Sequence, residues 1–315
     1  MSATAAAVFA PGFFASEAVH NAAGVVAIVV IVTAVVGTFT VMRGQSFAGE
    51  AFGDIGTTGG AGAYLVSVGP LWGFIVGNVV AAGAMELIGI QRPRGRDLAT
   101  GIVLGAGIGL AALFLYFTTT SQSTTGATVT ILFGSVFAIA SSTVPLVLLL
   151  SGVVLATVAL IYRPLLLSTV SPEMAATRGI RVRLIGVLYL LALALATALA
   201  AITIGTILST ALLIGPAATA IRLATRPLSA ILAAVAIGIT AMWVGIVLAY
   251  DSYGWSSAGH VWPVSFFVVT LIFIGYLLSG LPGLRRRRRT AAAAAATTTT
   301  TPAEMPAPAT APPEG

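Results

Sequence analysis

The sequence predicts an all-α, polytopic membrane protein, and three observations indicate this class. Of the 315 residues, 58% are hydrophobic and only 8% are charged, whereas about 25% are charged in ordinary soluble domains. The mean hydropathy is +1.04. The long runs are uniformly apolar and extend for about 20 residues, which is typical of membrane-spanning helices and not of the shorter, alternating strands of a membrane barrel.

Polar and charged residues divide the apolar sequence into nine predicted spans. The spans are roughly 23–42, 45–68, 70–90, 98–117, 143–163, 184–203, 205–223, 228–250 and 261–280. The breaks near Gly69 and Gly205 are the least marked, so eight or ten spans are the alternative counts.

The arginines predict the orientation of these spans. All 15 basic residues are arginine, and positive residues are retained on the cytoplasmic side of a membrane. With nine spans and the N-terminus outside, every arginine falls on the cytoplasmic side and the C-terminus lies inside. Glu86, near the inner end of the third span, is predicted to reach the interface toward Arg92 or Arg94. The block Arg285–Arg289 is expected to be attracted to anionic membrane lipid.

Three regions follow from this pattern. Residues 1–22 are predicted to be an extracytoplasmic segment, 23–284 a membrane domain, and 285–315 a disordered cytoplasmic tail that is basic, then rich in Ala and Thr, then rich in Pro. The scattered arginines predict no nucleic-acid partner, and the absence of cysteine excludes disulfides and cysteine nucleophiles. Since P-loop, GxSxG and HExxH motifs are also absent, the chain is predicted not to be an enzyme and to carry no ATPase of its own.

Two acidic residues within the second span are the first candidate site. Glu50 and Asp54 are four residues apart, so they share one helix face at a Cβ separation of about 5–6 Å. Asp54 lies about 15 Å from the inner end of the span, near the bilayer midplane. Because acids buried in lipid are costly, we interpret the pair as a divalent-cation site. A proton relay and ordinary packing hydrogen bonds are the alternatives.

Two further places are candidate pathway residues. Pro216, directly after Gly215, removes a helical hydrogen bond and frees a carbonyl group that can line an ion path. A kink that only fits helix packing is the alternative. Asp251 and His260 are candidate cation-collecting groups at the outer mouth, with ordinary solvated loop residues as the alternative.

A short cytoplasmic helix of about two turns is predicted in the loop between the fifth and sixth spans. Ser171 is a capping residue, Pro172 suits the first helical position, and Glu173 places an acid near the N-terminus. Gly179, directly after Arg178, is a natural stop. The helix is therefore expected within residues 171–180.

Five sequence blocks carry a family resemblance. They are TFTVMRGQSFAGEAFGDIGTTGG (38–60), RGRDLATGIV (94–103), TILFGSVFAI (130–139), SPEMAATRGI (171–180) and TILSTALLIGPAATA (206–220). In this order they resemble the permease subunits of ATP-binding-cassette importers for zinc, manganese and iron, over about Gly37 to Ser279. The first block is similar to the family's second-span motif, the fourth to its coupling helix, and the fifth to its LL-x-x-P-A-A-T-A signature.

Four positions depart from the usual family pattern. Glu50 stands where the family usually has Asp, Asp54 where it has His, Thr58 where it has Pro, and Ser171 where it has Asp. The ligand pair is therefore two carboxylates, which favours manganese, iron or magnesium over nitrogen-loving metals. Ser171 retains a residue that can cap the coupling helix.

The resemblance implies a multi-pass permease of the cytoplasmic membrane that imports a divalent metal ion and has no permanently bound cofactor. It implies three partners: a second permease subunit, either a copy or a sister chain, a cytoplasmic ATPase, and an extracytoplasmic solute-binding protein. Glu50 and Asp54 would hold the metal, and Gly215 and Pro216 would line the pathway. The residues assigned to ATPase coupling are Ser171, Glu173, Arg178 and Gly179. Import of a metal chelate or other small solute, and proton-driven secondary transport, are the alternative functions.

Overall fold

The computed structural model describes residues 17–90, 95–121, 143–252 and 262–280. These residues form ten α-helices, and no strand occurs among them. In chain order the helices are α1 (Glu17–Met42), α2 (Ser46–Leu65), α3 (Pro70–Ile88), α4 (Arg96–Ser121), α5 (Val144–Val170), α6 (Pro172–Thr177), α7 (Val182–Ile204), α8 (Thr206–Leu223), α9 (Pro227–Asp251) and α10 (Val264–Gly280). The predictions for 1–16, Arg92, Arg94, 130–139, His260 and 285–315 lie outside the described residues.

Each of the nine predicted spans coincides with one of these helices. Seven helices in the described part of the chain are long and apolar enough to cross a membrane, which confirms an all-helical, polytopic membrane protein. The other two that match predicted spans are α10, which is shorter, and α2, which carries Glu50, Asp54 and six glycines. The number of membrane crossings and their orientation stay predictions.

The two least marked breaks between predicted spans, near Gly69 and Gly205, both separate two helices in the structure. Between α2 and α3 the chain turns through Ser67, which has a φ of +57°, and α3 then begins at Pro70. A single residue, Gly205, separates α7 from α8, and its φ of +88° is a conformation that residues with a Cβ rarely adopt. The glycine therefore allows the chain to break one long apolar run into two helices.

The interior of the bundle is built around α1 and α7. In the most apolar part of each of these two helices 67% of the residues are buried, compared with 28% in α4 and in α5. The α7 helix packs on α1, α2, α3, α5 and α8, and the fully buried Tyr189 lies on it beside Phe39 of α1. The chain divides into two compact units, Met1–Tyr276 and Leu277–Gly315, and the described part of the second unit is the last turn of α10.

Glycines allow α2 to approach its neighbours closely. A Cβ added to Gly59 would overlap the carbonyl oxygen of Gly73 in α3, and a Cβ on Gly73 would overlap that of Gly59. On another side, a Cβ on Gly49 would lie 2.7 Å from the side chain of Leu213 in α8. Small residues at helix interfaces permit this kind of backbone approach in membranes. The glycine-rich sequence of α2 thus gives a tightly enclosed helix.

Candidate metal pathway and coupling helix

One narrow stripe of α2 is left open by the surrounding helices. Helices α1, α3, α4, α7 and α8 pack against α2 and bury most of its residues. Phe47 and Glu50 are exposed, and Asp54 is half-buried. These three residues recur at intervals of three and four, so they lie on one side of the helix and define its open stripe. Both predicted metal-site acids are therefore on the open stripe.

The two acids form a pair that is incomplete as a metal site. Glu50 and Asp54 are one helical turn apart on α2, so their carboxylates are neighbours on one face. Among the described residues, no group of three or more His, Cys, Asp or Glu side chains is placed to hold a metal ion. A cation held by Glu50 and Asp54 would therefore need additional ligands from water, from backbone or hydroxyl oxygens, or from another chain.

The start of α8 brings hydroxyl groups next to Gly53, the residue that directly precedes Asp54. A Cβ added to Gly53 would lie 2.8 Å from Oγ1 of Thr210 and 3.3 Å from Oγ of Ser209. The buried Ser209 donates to the carbonyl oxygen of Thr206 at 2.7 Å, whereas Thr210 is only half-buried. Sequence reasoning missed Thr210. Its signal is the polar triplet of Thr206, Ser209 and Thr210 at the beginning of an otherwise apolar span.

Thr58, which stands where the family usually has Pro, connects α2 to α4. Its hydroxyl donates to the carbonyl oxygen of Gly107 at 2.7 Å. The helix continues through this position without interruption to Leu65. The substitution therefore replaces a residue with no backbone N–H by one that adds an interhelical hydrogen bond.

Gly215 and Pro216 lie within α8 at contacts with other helices. A Cβ on Gly215 would overlap the side chain of Ile272 in α10, and Pro216 packs near Gly238 of α9. The hydroxyl of Thr219 donates to the carbonyl oxygen of Gly215 at 2.8 Å. At 100° per residue, both positions are about 120–140° around the helix from Thr210. Their role in a pathway stays a prediction.

The short helix α6 occupies the position predicted for the coupling helix. Ser171 has an extended backbone, and its hydroxyl accepts a hydrogen bond from the backbone N–H of Met174 at 3.4 Å. Glu173 is in the first turn, Arg178 is the C-terminal cap, and Gly179 has a φ of +77°. Ala175 is fully buried, whereas Glu173, Arg178 and Gly179 are exposed. The helix thus turns Ala175 toward the bundle and presents Glu173 and Arg178 outward.

Arg43, in the turn between α1 and α2, connects this turn to the C-terminal end of α5, which is followed by α6. Its Nη1 donates to Oγ of Ser168 at 3.3 Å and to Oγ1 of Thr169 at 3.4 Å, near the C-terminus of α5. Its guanidinium also lies 5.3 Å from the ring centroid of Tyr189 in α7. The Nη1 of Arg96 in α4 donates to the carbonyl oxygen of Arg43 at 2.7 Å. Sequence reasoning used Arg43 only to predict orientation, although it is part of the second-span motif.

Three other positions singled out in the sequence are Asp251, His260 and Glu86. Asp251 is the last residue of α9 and is partly exposed, and His260 lies outside the described residues. Glu86 accepts a hydrogen bond from Nε of Arg183 at 2.9 Å. The partner that the structure describes for Glu86 is therefore in α7, while the two arginines that its sequence position suggested, Arg92 and Arg94, lie outside the described residues.

Comparisons with known proteins agree on one family. The profile of the ABC 3 transport family matches residues 15–278. The manganese transport system membrane protein MntC of Listeria monocytogenes is 31% identical over 255 residues, which are 81% of this chain and 88% of that protein. The high-affinity zinc uptake system membrane protein ZnuB of Haemophilus influenzae is 28% identical over 226 residues, covering 70% of this chain and 85% of that one.

A solved structure has the same fold. The structure of PsaBC from Streptococcus pneumoniae in complex with Fab superposes with a TM-score of 0.71 at 25% identity. The match covers 85% of this chain and 93% of the solved one. The similarity therefore includes nearly the whole described helical bundle.

Proposed function

The chain belongs to the ABC 3 transport family, and from that premise we propose that it imports manganese as the divalent ion, along a pathway lined by Glu50 and Asp54. As a permease subunit of a metal importer, it is a multi-pass protein of the cell membrane and is not itself an enzyme.

The observation that carries the proposal is the position of both carboxylates on the open stripe of α2. An acid at the bilayer centre costs about 2.5–3.5 kcal/mol on insertion scales, so this stripe is not expected to face lipid. A second subunit or a water-filled path would cover it. Carboxylate oxygen atoms suit manganese, whereas zinc sites draw more on imidazole and thiolate ligands. The name of the relative MntC, a manganese transport protein, supports the same choice.

A second permease subunit would complete the site. One chain offers two carboxylates, and manganese prefers about six oxygen ligands in octahedral geometry. Two copies with their open stripes facing each other would double the number of carboxylates and add the hydroxyl group of Thr210 from each side. Thr210, Ile214 and Ala218 are partly exposed at intervals of four along α8, and they would form part of the same interface.

An ATPase on the cytoplasmic side would supply the energy. In this proposal α6 docks on the ATPase through Glu173 and Arg178, with Ser171 and Gly179 fixing its two ends. Arg43 then links the α5–α6 segment to the α1–α2 turn, and so to the acids. An extracytoplasmic binding protein would deliver the ion. ATP binding and hydrolysis would shift the subunit pair between outward-open and inward-open states.

The test is uptake by the reconstituted transporter. The full chain, its ATPase and its binding protein would be assembled in liposomes and assayed with manganese, zinc and ferrous iron. We expect manganese uptake that requires ATP and is lost in Glu50→Gln/Asp54→Asn, while ATP hydrolysis continues. The matched control is Asp97→Asn, which removes an exposed carboxylate at the start of α4 and should leave uptake intact.

Two outcomes would contradict the proposal. If the complex hydrolyses ATP but takes up none of the three ions, the cargo is a chelate or another solute. If uptake follows a proton gradient and needs no ATP, the chain works as a secondary transporter. In the same assay, Glu173→Ala/Arg178→Ala should lower uptake without abolishing basal ATP hydrolysis, whereas Arg181→Ala, an exposed arginine beyond α6, should have little effect.

A further inference from the structure

A cavity of about 590 Å³ lies at the end of the bundle next to α6. Its walls come from the ends of α1, α3 and α5 and from the starts of α4, α6 and α7. Four charged side chains line it: Arg43, Glu86, Arg96 and Arg183. The arginine-based orientation places this cavity on the cytoplasmic side, and it is separate from the open stripe that carries the acids.

The charges in the cavity wall do not balance. The carboxylate of Glu86 forms an ion pair with Nε of Arg183 at 2.9 Å. Among the described residues, this is the only ion pair in the cavity wall. The partners of the other two arginines are neutral oxygen atoms. Arg43 donates to the hydroxyls of Ser168 and Thr169, and Arg96 donates to the carbonyl oxygens of Arg43 and Gly44. Two guanidinium groups thus face the same cavity without a described carboxylate.

Burial makes this positive charge costly. Burial lowers the pKa of Arg43, Tyr189 acts in the opposite direction, and the neighbouring charge of Arg96 lowers the pKa further. A guanidinium group nevertheless stays protonated in proteins. Partly buried charges of the same sign are stabilised when a counter-charge is taken up between them. An anion in the cavity would supply that counter-charge.

The chemistry of the wall favours a tetrahedral oxyanion. Guanidinium groups offer several N–H donors in a fixed plane, which suits the oxygen atoms of a phosphate, and the hydroxyls of Ser168 and Thr169 are further donors in the same wall. At the mouth, Leu87 is 87% exposed and Ile88 is 41% exposed. An apolar rim beside a cationic cavity is the arrangement expected at the boundary between headgroups and acyl chains.

We propose that this cavity binds a phosphate-type anion, held by Arg43 and Arg96. The anion is the headgroup of an acidic phospholipid of the inner leaflet or a free phosphate, because both present the same oxygen atoms to the arginines. The bound group connects the α1–α2 turn, the start of α4 and the end of α5. The inference does not depend on which solute the permease carries, since its test is a binding measurement.

The experiment has two arms, both using the full purified chain in phosphatidylcholine nanodiscs. In the first arm, binding of radiolabelled inorganic phosphate is measured by equilibrium dialysis. In the second, phosphatidylglycerol is included in the bilayer, and the lipid retained by the protein is counted by native mass spectrometry. We expect saturable binding of one anion per chain in at least one arm. Phosphate binding without phosphatidylglycerol retention identifies free phosphate as the ligand, and the reverse identifies a lipid headgroup.

Variants with opposite expected effects make the test decisive. Arg43→Gln/Arg96→Gln should weaken binding by about tenfold or more, because charge-assisted hydrogen bonds are lost. Both arginines also hold the α1–α2 turn, so a second variant leaves these two arginines in place. Glu86→Gln removes the negative charge from the wall and should tighten binding by about fivefold.

The matched control is Arg163→Gln, which removes an exposed arginine of α5 that does not line the cavity. It should bind like the wild type. The proposal is overturned if no saturable anion binds in either arm, or if the wild type, the double arginine variant and Glu86→Gln bind alike.

Discussion

On one side of α2, glycines bring the neighbouring helices to within backbone contact, whereas on the other side Phe47, Glu50 and Asp54 are left open in the single chain. Both sides belong to one 20-residue helix. The glycine side is completed by this chain, because α3 supplies the matching surface at Gly73. The acid side is not, because no described helix of the chain covers Phe47 and Glu50. The glycine side therefore contributes to the folding of the single chain. The acid side is available for contact with a molecule other than this chain.

The largest expected effect comes from adding a side chain on the glycine side of α2. In Gly59→Val the new side chain would overlap the backbone of Gly73, and we expect the chain to be destabilised by about 3 kcal/mol. Thermal unfolding of the purified chain measures the effect. The control is Gly83→Val in α3, where an added Cβ would meet nothing within 4 Å. Equal stability of the two variants would contradict the close contact between α2 and α3.

Substitutions of the two acids should change the stabilisation by manganese and should have little effect on the stability of the metal-free protein. At a manganese concentration of about 100 times Kd, the assembled wild-type transporter should be stabilised by about 2.7 kcal/mol. Glu50→Gln/Asp54→Asn should show no manganese-dependent shift, while its metal-free stability should be equal or slightly higher because the repulsion between the acids is removed. Parallel thermal scans with and without manganese measure both quantities. A full shift in the double variant would place the metal elsewhere.

Gly53 lies between the glycine side and the acid side of α2, where α2 contacts Thr210 of α8. Gly53→Ala would bring a methyl group to 2.8 Å from Oγ1 of Thr210, and we expect a destabilisation of about 1–2 kcal/mol. Thr210→Ala makes room for that methyl group, so the double variant should lose less stability than the sum of the two single variants. Additive losses in this double-mutant cycle would show that the two residues do not contact each other.

The smallest expected effect concerns Thr58. Thr58→Val keeps the shape of the side chain but removes the hydrogen bond to the carbonyl oxygen of Gly107, which is 2.7 Å long. Interhelical hydrogen bonds in membranes contribute about 0.6 kcal/mol on average, and we expect a loss of that size. Thr157→Val is the control, because that hydroxyl donates within its own helix to the carbonyl oxygen of Val153 at 2.8 Å. Loss of stability in the control alone would show that Thr58 does not hold α4.

Local patterns in the sequence predicted local structure well. The apolar runs predicted the helices, because a chain crossing lipid must satisfy its backbone hydrogen bonds within each segment. The spacing of Glu50 and Asp54 predicted their common face, since residues four apart are neighbours on a helix. The run from Ser171 to Glu173 predicted a helix start, and α6 begins at Pro172 with Ser171 as its cap.

Contacts between distant segments could not be predicted in this way. Glu86 and Arg183 are 97 residues apart, and the nearer arginines at 92 and 94 were the only partners that sequence position suggested. The contact of Arg43 with Ser168 joins residues 125 positions apart. The glycines of α2 predicted close packing but not which neighbour would fill each position. A single sequence contains no information on which of several compatible helix faces will meet.

The connection between α5 and α6 has a mechanical consequence. Only Ser171 separates the two helices, and α5 is 27 residues long, or about 40 Å. A rod of that length acts as a lever. If docking tilted the part of α5 that precedes Pro164 by about 5°, its far end, about 20 residues or 30 Å away, would be displaced by about 2.6 Å, which is about half the rise of one helical turn. Pro164, within the last two turns of α5, weakens the rod near its base and provides a natural fulcrum. A small movement of α6 would therefore become a larger movement at the first residues of α5.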